Sequence, residues 1–175
     1  HLYSKEGYHC TGFTIPGLPG LLLGHNKHIA WGITLAYTDV EDIFIEKQDV
    51  TDPERYEYRG EMKNYDEIKE IITVKGEADH VEPIRKTIHG PLIGSVTEYS
   101  SQTITLCSKS LQPNTIMCGF FDINQAENWD DFSAGIEKIK APQLNIVYSD
   151  VDGNIGMYVS GRVPIRNNGG GDVPV

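Results

Sequence analysis

Short apolar or alternating runs recur along this chain with Gly, Pro, Asn and Asp clusters between them. That punctuation constrains the fold more than any other feature. Residues 20–24, 28–34, 42–47, 71–75 and 103–107 are such runs and read as strands. His25-Asn26-Lys27 reads as a tight turn between two of them, with Asn26 able to take a left-handed conformation. Asp152-Gly153, between strand-like residues 145–149 and 155–159, reads as a type I′ hairpin turn.

One helix interrupts the pattern, over residues 125–139. Asn124 suits its N-cap, Trp129, Phe132, Ile136 and Ile139 fall on one face, and Pro142 stops it. Residues 65–70 carry a weaker helical pattern. There is no internal repeat, and the NNGGG stretch at 167–171 reads as a flexible loop whose continuation has been lost. The expected class is α+β: one β-rich domain spanning residues 1–175, long enough to bury a sizeable core.

The balance of 15 Lys and Arg against 25 Asp and Glu gives a net charge of −10 at pH 7. That charge opposes a phosphate backbone, and no basic stripe with interleaved aromatics offsets it, so nucleic acid is not an expected partner. No stretch approaches the roughly 20 apolar residues of a membrane span. A basic segment followed by an apolar one is also absent, so no signal peptide is expected within the chain. Starting at His1 on strand-like sequence, the chain reads as a processed product or a piece of something longer. Cys10, Cys107 and Cys118 have no CxxC spacing. Cys107 and Cys118 read as small core residues in strands, with one disulfide as the alternative.

Three stretches are richer in Gly, Pro and polar residues than a plain core requires. In residues 16–42, His25 and Asn26 read as a turn with locally bonded side chains, or as polar site residues. Asp39, Glu41 and Asp42 place three carboxylates within four residues. Such a cluster is either a solvated acidic loop or a site for a hard cation such as calcium, which takes six to eight oxygens. In residues 145–166, Asp150, Asp152 and Asn154 fail the EF-hand pattern, because Gly153 occupies the fourth position and Gly161 the twelfth. Asn145 stands on an apolar strand, where a buried amide must bond a neighbour or face a site. His89, beside Gly90-Pro91, reads as a structural hydrogen-bonder. No GxSxG elbow, P-loop or GxGxxG is present.

Taken together, PGLPGLLLGHNKHIAWGIT and DVEDIFIE in residues 16–46 resemble the β-subunit of the penicillin acylase (penicillin amidase) family. The resemblance continues in order through ITVKG, TIHGPLI, ENWDDF and NIVYSDVDGNIG to GRVPIR, and covers nearly the whole chain. It implies an N-terminal nucleophile hydrolase with a four-layer αββα fold. A self-cleaved precursor exposes a first residue, usually Ser, that attacks an amide with its own α-amine as base. It further implies that Leu35 supplies a backbone N–H, and Asn145 a side-chain N–H, to an oxyanion hole. Arg166 would lie near that Asn and the substrate, and Ile33 would line the acyl pocket. The acidic segment matches the family's calcium loop, with carboxylates from Asp39 and Asp42, the backbone carbonyl of Glu41, and further ligands from the other subunit.

The departures carry expectations of their own. The family's nucleophile lies upstream of the HLYSKEGYH segment, so the fragment alone is expected to be inactive. Expected partners are a small N-acyl amide substrate, the α-subunit and the remainder of the β-subunit. Homotypic pairing through an exposed sheet edge would give a homo-oligomer of the fragment. A periplasmic or secreted location is implied by the resemblance alone. The competing reading is a non-catalytic, calcium-stabilised extracellular binding module that keeps the acylase fold.

Overall fold

The computed structural model describes residues 1–18, 20–94, 102–111, 116–167 and 170–174. The first strands are β1 (Leu2–Tyr3), β2 (His9–Phe13), β3 (Leu23–His25), β4 (Ile29–Leu35) and β5 (Glu41–Glu46). β6 (Arg55–Tyr58), β7 (Glu61–Asn64), β8 (Asp66–Ile72), β9 (His80–Lys86) and β10 (Thr103–Ser108) follow. A 3-10 turn at Lys109–Leu111 leads to α1 (Ile116–Gln125), α2 (Trp129–Glu137), β11 (Leu144–Asp150) and β12 (Ile155–Val159). Strands dominate and helices are few, in keeping with the β-rich α+β class.

The chain divides into two compact units, His1–Val40 with Lys109–Pro164, and Glu41–Ser108 with Ile165–Val175. No shift of composition marks the divisions at Val40 and Ser108.

In the first unit, six strands form one antiparallel sheet in the order β1-β2-β3-β4-β11-β12. Alternation places Ile29 and Trp31 of β4, and Leu144, Ile146 and Tyr148 of β11, on one buried face. Phe120 and Ile123 of α1 and Phe132 and Ile136 of α2 complete the same core. Each such side chain stabilises the fold by about 1.5–3 kcal/mol when fully buried. The intervening Val147 is exposed.

The helix expected over 125–139 is α2, which begins only at Trp129; Gln125 ends the separate helix α1, and Ala126–Asn128 lie between the two. The N-cap of the second is Asn128, whose side chain accepts a hydrogen bond from Asp131 N. Asn124 lies inside α1, an element the sequence reading missed, and Cys118 is exposed on that helix rather than held in a strand. All three cysteines are free. The helical pattern at 65–70 belongs instead to β8, paired residue by residue with β9. Within the run 20–24 only Leu23 and Gly24 join a strand, and within 71–75 only Ile71 and Ile72 do.

The turn at 25–27 is present, but Asn26 is not left-handed; among described non-glycine residues only Tyr37 and Arg59 have positive φ. The 151–153 turn has one left-handed residue, Gly153 at φ 89°. Gly153 N donates to Asp150 O and Asp150 N to Asn154 O. That is a three-residue loop with a glycine bulge rather than a type I′ turn. Within the tail stretch 167–171, residues 168 and 169 lie outside the described residues.

Among the described residues, the second unit contains three antiparallel pairs, β5 with β10, β6 with β7 and β8 with β9. Among the described residues, no helix is long and apolar enough to cross a membrane.

Candidate active site

The first unit brings together two of the residues singled out from sequence. Ala36 N donates to Gln143 O at 3.1 Å, and bonding groups alternate along an antiparallel ladder. Even-numbered residues of β4 therefore turn their N–H groups toward β11, while Ile33 and Leu35 turn theirs to the opposite edge. Asn26 N, bonded to Ile29 O at 3.0 Å on that opposite edge, fits the same alternation. There β3 pairs with β4 only at Gly24↔Trp31 and His25↔Ala30. Among the described residues, no strand flanks Ile33 and Leu35 on this side.

Asn145 pairs with Thr34 across the β4–β11 ladder. Its side chain stands on the face away from the helices, because its neighbours Leu144 and Ile146 are buried on the other. Its Nδ2 donates to Leu35 O at 3.3 Å. The sequence left open whether this amide bonds a neighbour or faces a site. It bonds a neighbour, and that neighbour is the other expected oxyanion-hole residue. Ile33 pairs with Ile146 and is half-buried against the helix-side core. Its side chain is therefore on the face opposite Asn145.

The other expected site residues fall elsewhere. Asp39 belongs to the first unit, and Glu41, Asp42 and Arg166 to the second. Arg166 Nε donates to Asp42 Oδ1 at 2.8 Å, with both side chains largely buried. Glu41 Oε1 accepts from Ser108 Oγ at 2.9 Å. Among the described residues, no three His, Cys, Asp or Glu side chains are placed to hold a metal ion. Carboxylate oxygen is the right donor for calcium, but the described residues do not by themselves complete a six- to eight-oxygen site.

Two buried polar centres escaped the sequence reading. In the second unit, Glu46 Oε1 accepts from Thr87 Oγ1 at 2.6 Å, Thr105 Oγ1 at 2.7 Å and His89 Nδ1 at 2.9 Å. Burial pushes this carboxyl up, but the three donors and the nearby histidine outweigh it and hold it below its ordinary value. His89 is thus a structural hydrogen-bonder, as its setting beside Gly-Pro implied. In the first unit, Asn124 holds backbone groups of Leu21, and Asn26 closes its turn by accepting from His28 N and Ile29 N. Nothing in the spacing of Glu46 or Asn124 announces these partners, which lie tens of residues away in sequence.

Comparison with known proteins places this geometry in context. A family model described as penicillin amidase matches residues 1–175. An acyl-homoserine lactone acylase QuiP of Pseudomonas fluorescens (strain Pf0-1) is 33% identical over 171 residues, covering 95% of this chain and 21% of that protein. Penicillin G acylase of Escherichia coli is 32% identical over 165 residues, covering 93% and 19% respectively. A thermostable penicillin G acylase from Alcaligenes faecalis superposes with a TM-score of 0.79 at 28% identity, over 91% of this chain and 29% of that one. The chain thus spans about a fifth of the length of these curated relatives.

Proposed function

The chain belongs to the penicillin amidase family, and on that premise we propose that it forms the oxyanion-binding part of an amide hydrolase acting on small N-acyl compounds. The observation that carries this reading is the hydrogen bond from Asn145 Nδ2 to Leu35 O, with the Leu35 N–H on an edge that no described strand flanks. The attacking hydroxyl comes from an N-terminal nucleophile outside these 175 residues. It adds to the carbonyl carbon of the substrate amide as its proton passes to the α-amine, and the carbonyl π pair moves onto oxygen. Leu35 N–H and Asn145 Nδ2–H stabilise that oxyanion, each by about 2.7–4 kcal/mol when preorganised. The C–N bond then breaks, the amine leaves with a proton, and water releases the acyl group.

The similarity to acylases acting on acyl-homoserine lactones and on penicillin G supports the class of reaction and leaves the choice of acyl group to screening. Calcium at Asp39, Glu41 and Asp42 belongs to the same proposal, with its missing donors supplied by the remainder of the protein. The decisive experiment uses the full-length precursor and a chromogenic phenylacetyl amide, with subunit masses recorded. Self-cleavage with hydrolysis, and a fall in kcat of about 10²–10³ in Asn145→Ala, is the expected result. Neither processing nor hydrolysis of any N-acyl amide would transfer the lead to a non-catalytic binding module.

A further inference from the structure

Asn124, in the last turn of α1, is 1% exposed. Its Oδ1 accepts from Leu21 N at 2.6 Å and from Tyr8 Oη at 2.6 Å, and its Nδ2 donates to Leu21 O at 2.8 Å. One helical side chain therefore takes up both backbone groups of Leu21, groups that would otherwise be available to extend a strand ladder. Gly20, at φ 90°, passes so close that a Cβ there would stand 3.0 Å from Asn124 Oδ1. On the other side of Leu21, Leu22 N donates to Phe13 O, and Leu22 O accepts from the Trp31 indole N–H at 3.1 Å.

The consequence appears in the β3–β4 register. Continued beyond Gly24↔Trp31, the ladder would set Leu22 against Ile33 and Gly20 against Leu35. It is not continued, because Leu21 is fastened to α1 and Leu22 is turned to Phe13 and the Trp31 ring. We propose that Asn124 is a positioning residue, holding residues 20–22 off the β4 edge so that the Leu35 N–H stays open to a substrate oxyanion. This rests on the assignment of Leu35 as an oxyanion donor. Asn124 touches no reacting atom; it acts through the course of the loop.

The test uses the full-length protein, wild type beside Asn124→Asp, Asn124→Ala and Gly20→Ala. Asn124→Asp keeps the acceptor for Leu21 N and Tyr8 and replaces the donor to Leu21 O with an oxygen. Gly20→Ala displaces the loop while leaving Asn124 intact, a second route if the Asn124 variants fold poorly. Two readouts are taken: kcat and KM per titrated active site, and hydrogen exchange of peptides covering residues 20–24 and 29–36. Faster exchange in both peptides, with kcat per site down about tenfold or more and KM within about threefold, is expected. Normalising to titrated sites removes any effect of a smaller folded fraction. Loosened exchange with unchanged kcat per site would reduce Asn124 to a structural role and overturn the proposal. Unchanged exchange in these peptides would overturn it whatever the activity. A wild-type protein that hydrolyses no amide would instead defeat the assignment of Leu35, while the exchange data still decide whether Asn124 holds the loop.

Discussion

His89 Nδ1 lies 2.9 Å from Oε1 of Glu46, and the same imidazole stacks on Phe44 with centroids 4.0 Å apart and planes 5° from parallel. Stacking fixes the plane of the ring and the carboxylate fixes its rotation within that plane. Thr87 Oγ1 completes the arrangement, donating to Glu46 and accepting from His89 N at 3.1 Å. The centre ties β5, β10 and the 87–91 segment together within the second unit.

This centre predicts a pH dependence. Burial opposes ionisation of Glu46, but its donors prevail and the carboxyl titrates below its ordinary value of 4.5. A depressed folded value means that the folded state binds this proton less tightly than the unfolded chain does. The stabilisation is therefore complete above about pH 4.5 and is lost as pH falls through the folded value. Glu46→Gln should lower stability at pH 7 by about 1–3 kcal/mol and remove this part of the acid slope. Urea unfolding of the whole protein at a series of pH values checks both; an acid slope unaltered by the substitution would contradict the account.

The oxyanion donor proposed at Leu35 can be tested with the sheet left intact. Its N–H points away from β11, so Leu35→Pro removes the donor without deleting a β4–β11 hydrogen bond. The expected result is a loss in kcat of about 10²–10³, comparable with Asn145→Ala, with a melting temperature close to wild type. Full activity in Leu35→Pro would show that this amide is not used.

Asn26 separates a turn residue from a site residue. Its Oδ1 accepts from His28 N at 2.8 Å and Ile29 N at 2.9 Å, while Nδ2 donates to Asn124 O and Ala126 O. Asn26→Ala strands these backbone groups and should destabilise by about 2–4 kcal/mol, with kcat per titrated site unchanged. A selective loss of kcat at wild-type stability would return Asn26 to the site.

Asp42 and Arg166 should be energetically coupled. Their charge-assisted hydrogen bond lies between side chains only 13% and 18% exposed. A double-mutant cycle with Asp42→Asn and Arg166→Gln should give a coupling of about 1–3 kcal/mol in thermal unfolding. Additive effects would mean that the pair contributes nothing of its own.

How far the sequence carried can be judged from particular residues. Alternation at 144–150 and 155–159 shows strand periodicity directly, because a period of two is a local property. The turn at 25–27 was legible for the same reason, its amide bonding groups two and three residues away. The helix break at 126–128 was not, since Asn124 and Asn128 are equally good caps by composition. What distinguishes them is that Asn124 finds Leu21, 103 residues away, as its partner. The weak helical pattern at 65–70 gives way to a strand, because residue-by-residue pairing of Asp66–Ile72 with His80–Lys86 decides the matter.

The sequence by itself determined the family and the β-rich class, because motif spacing and local periodicity are written along the chain. Tertiary structure alone decided that Asn145 reaches Leu35 across β4 and β11, that Ile33 turns to the opposite face, and that Asp42 meets Arg166. Those outcomes depend on strand register and long-range hydrogen bonds. A shift of one residue in register would exchange the two faces of the sheet, and no local pattern specifies which partner, tens of residues away, closes each bond.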